Sequence, residues 1–278
     1  MSWKIGLPGR PVKSISSREN PLFKQLVKLA QSAAQRRTSG LTLLDGTRLI
    51  NAYHAALGLP QSLIVGESAG DHAENKHLLA QLAREQAVPV VVLSDTLFRA
   101  VSPVKTPGGI MALIAIPAHD VIPVYQGESF SVLLEAIQDP GNLGAILRSA
   151  AAAGASDVYL SAGCADTWSP KTLRAAMGAH FQLRIHEQSD LVEVARGFNG
   201  KVVATTLRAK TSLYQSRLSG PVAFLFGNEG AGLSEAVLQA VSEQVSIPMP
   251  GGTESLNAAA AAAVCFFERV RQNTSTAE

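Results

Sequence analysis

Cysteine is nearly absent: Cys164 and Cys265 are the only two among 278 residues. Neither has a second cysteine or a histidine at metal-ligand spacing, so no disulfide framework or zinc site is indicated. The six histidines, His54, His72, His77, His119, His180 and His186, form no HExxH or similar pair, and no metal is expected. No window approaches the roughly 18 uninterrupted apolar residues that mark a membrane span. The first residues, "MSWKIGLPGRPVKSISS", are basic but lack an apolar stretch followed by a small-residue cleavage site. A cytoplasmic protein with a short basic tail and no membrane contact is therefore expected. With 46% hydrophobic and 17% charged residues, the chain can bury a sizeable core. Its length suits two ordinary domains.

Net charge is only +2, but it is unevenly spread. Residues 1–50 carry Lys4, Arg10, Lys13, Arg18, Lys24, Lys28, Arg36, Arg37 and Arg48 against only Glu19 and Asp45, so the remainder is net acidic. Either a polyanion meets the first segment, or a lysine-rich helix simply faces water.

After the tail, "NPLFKQLVKLAQSAAQRR" has the spacing of one amphipathic helix, with Asn20 and Pro21 as cap and first-turn residues. "LTLLDG", "SLIVG", "VPVVVLS" and "GIMALIAIP" read as strands, and "TRLINAYHAALG" and "ENKHLLAQLAREQ" as helices between them. This alternation predicts an α/β domain over 15–116, following a basic tail over 1–14. "PAHDVIPVYQGE" lacks periodicity and marks a linker at 117–128. A second α/β alternation follows over 129–273 and ends in a long helix from Ser255 to about Gln272.

Three strand-to-helix loops carry polar residues. The first follows "FSVLLEAIQ" and reads "DPGNLGAILRSAAAAGA". Such loops lie at the carboxyl ends of strands, where open α/β sheets bind ligands. Arg148 is the one charged residue between Asp139 and Asp157, on a helix apolar nearly all round. A buried guanidinium requires an anion, either an internal carboxylate or a phosphate from outside, unless it snorkels to the surface. The loop lacks the GxGxxG pattern and the distal acid of a dinucleotide site, and Asn142 can serve as an N-cap. The second loop, "FGNEGAGLS", offers glycines for close backbone approach and Glu229 as an acceptor, or is merely a connection. In the third, "IPMPGGTESLNAAAAAA", Ser255 can cap the final helix, whereas Asn257 at the start of an apolar helix needs a partner for its amide.

Taken in order, these loops resemble the three signature motifs of the SpoU/TrmH family of RNA ribose 2′-O-methyltransferases, in the SPOUT superfamily. The resemblance spans about residues 130–272. "NPLFKQLVKLAQSAAQRRTSGLTLLDGTRLINAYHAALG" is similar to the ribosomal-protein-like RNA-binding domain that often precedes this catalytic domain. The resemblance implies an α/β SPOUT domain with a deep trefoil knot, contrary to the general rarity of knots, preceded by a smaller α/β RNA-binding domain. It implies S-adenosylmethionine as cofactor, held around Gly227, Glu229, Ile247, Met249, Leu256 and Ala258. It implies a homodimer and an RNA substrate, ribosomal in preference to transfer RNA, met by Lys24, Lys28, Arg36, Arg37 and Arg48. Arg148 matches the arginine assigned to the transfer step, and Asn142, Glu229, Ser255 and Asn257 match the other polar site positions. Family members commonly continue "SLN" with a Val-Ser-Val-like stretch, whereas Ala258, Ala259 and Ala260 follow here. Rival readings are a catalytically silent RNA-binding relative and a nicotinamide-dependent enzyme.

Overall fold

The computed structural model describes residues 12–69, 72–85, 88–118 and 129–274. Most of the basic tail and of the expected linker therefore lies outside the described residues. The chain divides into two compact units: Met1–Val121 with Trp168–Phe181, and Ile122–Thr167 with Gln182–Glu278.

The first unit is a mixed sheet with helices on both faces. Its strands are β1 (Val12–Ile15), β2 (Leu41–Asp45), β3 (Ser62–Gly66), β4 (Val90–Leu93) and β5 (Ile110–Ala115), in the order β1-β4-β3-β5-β2. β1 lies largely within the stretch expected to be tail, where it pairs in parallel with β4. The expected single basic helix is two, α1 (Pro21–Gln31) and α2 (Ala33–Ser39), because Ser32 is extended and caps the second through Gln35 N–H. Asn20 caps α1, with Pro21 in its first turn. One sheet face is covered by Phe23, Leu26 and Leu29 of α1 and by α5 (Asp95–Val101). The other is covered by α3 (Thr47–Leu57) and α4 (Ala73–Glu85), together with Trp168, Leu173 and Phe181. These last three belong to a segment late in the chain that contains a short helix, Pro170–Ala176. Polar bonds hold the segment to β2 as well: Thr42 Oγ1 donates to the Trp168 carbonyl at 2.7 Å, and Arg174 Nη1 donates to buried Asp45 at 2.7 Å.

The second unit is a parallel sheet. Its strands are β6 (Phe130–Leu134), β7 (Asp157–Leu160), β8 (Arg184–His186), β9 (Lys201–Thr205), β10 (Thr211–Ser212), β11 (Val222–Phe226) and β12 (Glu243–Ser246). Their order is β10-β12-β9-β11-β6-β7-β8, all pairings parallel. β6 and β11 are buried along their full length, as expected of central strands covered on both faces. From β6 the chain builds outward through β7 and β8, then returns to add β9 and β11 on the other side, so the order reverses between β6 and β11. Such a switch point opens a crevice at the carboxyl ends of the strands.

Three helices frame that crevice: α6 (Pro140–Ala152), α9 (Glu235–Leu238) and α10 (Ala258–Thr274). In chain order α7 is the short helix Pro170–Ala176 of the first unit, and α8 (Leu191–Gly197) covers the sheet behind β9. α6 begins at Pro140, because Asp139 is its N-cap and accepts from Asn142 N–H at 2.8 Å. Asn142 is thus a first-turn residue and not the cap. α10 packs against α6, and its Phe266 meets the rings of Phe130, Phe224 and Phe226. α10 starts at Ala258 and not at Ser255, since Asn257 Oδ1 accepts from Ala259 and Ala260 N–H.

Candidate active site

The three polar loops converge at the switch point, joined by one chain of hydrogen bonds. Asn257 Nδ2 donates to Asn142 Oδ1 at 2.8 Å, and Asn142 Nδ2 donates to Glu229 Oε1 at 3.0 Å. The Glu229 carboxylate also accepts the backbone N–H groups of Gln138 and Asp139, each at 3.2 Å. These bonds fix both amide orientations: each oxygen accepts and each nitrogen donates. Burial raises the Glu229 carboxyl, but hydrogen bonds from Asn142 and from the N–H groups of Glu229, Gln138 and Asp139 outweigh it. Its pKa therefore lies below the ordinary carboxylate value, and Glu229 is an anchored anion.

Beside this chain lies a cavity of about 650 Å³, lined by Phe226, Gly227, Leu233, Ile247, Met249, Leu256 and Ala258 among others. Five of the six residues expected around the cofactor are on its wall. Glu229 is not, because its carboxylate is turned toward the β6–α6 turn. Ser255, expected with the polar catalytic group, is on the wall instead. The size and the mixture of apolar side chains with glycine backbone suit a nucleoside-sized ligand. Thr206 Oγ1, on the same wall, is buried without a partner among the described residues. Gly227 is required there, since a Cβ would come within 2.4 Å of the Gly232 carbonyl group.

Asn228 folds the second loop. Its Oδ1 accepts Gly230 and Ala231 N–H at 2.9 Å, its backbone pairs with Gly232, and its Nδ2 donates to the Ala136 carbonyl at 2.8 Å. Asn228 is not singled out by any local pattern, although asparagine commonly bonds to backbone two or three residues onward in glycine-rich turns. Thr206 and Arg208, also on the cavity wall, carried no sequence signal.

Of the alternatives open for Arg148, the surface one holds. α6 buries Leu143, Gly144, Ile146, Leu147 and Ala150, whereas Arg148 is exposed and makes no hydrogen bond or ion pair among the described residues. The alanines of α6 suggested burial all round, but an alanine has too little apolar surface to require it. In the first unit Lys24, Lys28, Arg37 and Arg48 are exposed, with Lys24 paired to Glu19. Arg36 is withdrawn from that surface: it is 4% exposed, and its guanidinium donates to the Leu29 carbonyl where α1 meets α2. Among the described residues there is no cluster of three metal-ligating side chains and no helix long and apolar enough to cross a membrane.

Residues 129–267 match the SpoU rRNA methylase family, and residues 20–112 match the MRM3-like substrate binding domain. The chain belongs to the SpoU rRNA methylase family. An uncharacterized tRNA/rRNA methyltransferase of Synechocystis is 33% identical, over 94% of this chain and 94% of its own length. RlmP of Bacillus subtilis, a 23S rRNA (guanosine(2553)-2′-O)-methyltransferase, is 30% identical over 92% of this chain and 98% of its own. The SpoU methyltransferase AviRb of Streptomyces viridochromogenes, solved with AdoMet, superposes with a TM-score of 0.81 at 30% identity, covering 92% and 99% of the two chains.

Proposed function

We propose that this SpoU-family chain transfers a methyl group from S-adenosylmethionine to a ribose 2′-hydroxyl of ribosomal RNA. The observation that carries this reading is the hydrogen-bonded union of Asn142, Glu229 and Asn257 beside a glycine-floored cavity.

Gly227, Ile247, Met249, Leu256 and Ala258 would hold the cofactor, with Ser255 and Thr206 offering hydroxyls to its polar groups. When bound, S-adenosylmethionine supplies an electrophilic methyl group on a sulfonium sulfur. The protein must then hold the 2′-oxygen in line with the carbon–sulfur bond that breaks, the sulfur leaving as a neutral thioether, and stabilise the negative charge that develops as the hydroxyl proton passes to solvent water. Glu229 is a poor proton acceptor, being held ionised by its four donors. The Arg148 guanidinium has five N–H donors and no acceptor, so it does not serve as a base. Charge stabilisation is accordingly the main contribution of these side chains: Arg148 clamps the phosphate beside the target ribose and faces the developing alkoxide. Glu229 and Asn257 orient Asn142.

A guanidinium on the exposed face of α6, the helix whose first turn carries Asn142, and without a partner among the described residues, suits a ligand from outside the subunit. The family's homodimer, with the site at the subunit interface, and its deep trefoil knot are part of this reading, as is a cytoplasmic location. Lys24, Lys28, Arg37 and Arg48 would bring RNA phosphates to the first unit.

The deciding experiment incubates the purified protein with labelled S-adenosylmethionine and either ribosomal or transfer RNA, then maps 2′-O-methyl positions by alkaline-cleavage protection. Label confined to one ribosomal RNA ribose is the expected result. Label in transfer RNA alone would move the substrate, and RNA binding without label in either would leave the silent RNA-binding reading.

A further inference from the structure

The cavity wall from Gly230 to Leu233 is held at two places. Gly230, Ala231 and Gly232 have no side chain able to anchor the backbone, yet all line the cavity. Asn228 ties Gly230, Ala231 and Gly232, as described above. At the other end the wall is tied by a residue outside the polar site. Glu135 directly follows β6, and its carboxylate takes both donors of Ser234: the backbone N–H at 2.8 Å into Oε2, and the hydroxyl at 2.6 Å into Oε1. Ser234 occupies the N-cap position of α9, yet its side chain makes no capping bond. Its hydroxyl is directed to Glu135 instead.

Glu135 is itself held. The next residue, Ala136, has φ of 52°, the left-handed region that side chains other than glycine seldom adopt. Its N–H donates to Ser161 Oγ at 2.9 Å, and its carbonyl accepts from Asn228. Such a conformation persists only where surrounding contacts over-determine it. The short segment 135–139 therefore grips the second loop at Ser234, Asn228 and Glu229 in succession, and leads directly into α6, which carries Arg148.

We propose that Glu135 is a positioning residue for the methyl donor: by holding Ser234, it sets the wall Gly230–Leu233 against which the donor binds. The proposal rests on the assignment of this cavity to the donor. Carboxylate hydrogen bonds of this kind are the stronger ones, and releasing the wall should be felt in donor affinity before it is felt in the transfer step.

The test is calorimetric titration of the full chain with S-adenosylhomocysteine, together with methyl-transfer kinetics. Glu135→Ala should weaken binding about tenfold and raise KM for S-adenosylmethionine by a similar factor, with kcat changed by less than about threefold. Ser234→Ala should weaken it less, because the Ser234 N–H bond to Glu135 survives. The double variant should match Glu135→Ala, and Glu135→Gln should recover part of the affinity by retaining an acceptor. Affinity within about twofold of the parent for Glu135→Ala, or additive effects in the double variant, would overturn the proposal. If Glu135→Ala fails to fold, Ser234→Ala decides: unchanged affinity there overturns it. Leu256→Trp, which fills the cavity, tests the underlying assignment separately. Donor binding that survives Leu256→Trp would refute the cavity assignment itself, and the proposal with it.

Discussion

Asn257 reaches across 115 positions of sequence to place its amide nitrogen 2.8 Å from Asn142 Oδ1, while its own oxygen caps helix α10. One side chain thereby fastens the end of the third loop to the start of the first helix of the site, and the two tasks use different atoms. They can be separated chemically.

Asn257→Asp keeps the oxygen that accepts Ala259 and Ala260 N–H and adds negative charge at the positive end of α10. It should fold with undiminished stability yet lose the bond to Asn142, lowering methyl transfer by about tenfold or more. Asn257→Ala should lose both, with stability reduced by about 1 kcal/mol. Paired denaturant titrations and single-turnover assays check both. An active Asn257→Asp enzyme would contradict the orienting role.

Arg148→Lys and Arg148→Ala should leave stability within about 0.5 kcal/mol of the parent, because the exposed side chain has no partner to lose among the described residues. Turnover should nonetheless fall by about a hundredfold or more in both, since lysine lacks the planar fork that matches a phosphate. Near-parental turnover of Arg148→Lys would remove the clamp.

Glu229 has a folded-state pKa below its unfolded value, so its contribution to stability is present above the unfolded pKa near 4.5 and is lost as pH falls through the folded value. Thermal unfolding followed from neutral to strongly acidic pH should show this loss in the parent and a shallower one in Glu229→Gln. The side chain is largely exposed, so the difference should be small. Identical profiles would mean that the carboxylate is not held ionised by its donors.

Replacing Lys24, Lys28, Arg37 and Arg48 together by alanine should weaken RNA binding and flatten its salt dependence, by up to about 0.7 to 0.9 in slope for each phosphate no longer neutralised. Arg36→Ala should instead lower the melting temperature, with little change in that slope, because its guanidinium joins α1 to α2. Filter binding across a salt series distinguishes the two variants. An unchanged slope in the fourfold variant would refute this surface.

Local chemistry made much of the molecule legible in advance. The strands "LTLLD" and "SLIVG", the cap at Asn20 and the identity of three polar strand-to-helix loops follow from apolar runs, turn residues and caps acting within a few positions. What tertiary structure alone decided is which polar groups meet. Asn142 could read as a cap, but Asp139 holds that place; Arg36, expected to meet RNA, is buried, and Arg148, for which burial and the surface were both open, is exposed. Nothing local marks Glu135, whose carboxylate is taken by Ser234, 99 residues away. Likewise Trp168–Phe181 reads locally as part of the second alternation but folds with the first unit, because its apolar side chains complete a core laid down by α3 and α4. Periodicity records which side of an element is apolar. The partners of a polar atom depend on contacts between distant segments, which no local pattern encodes.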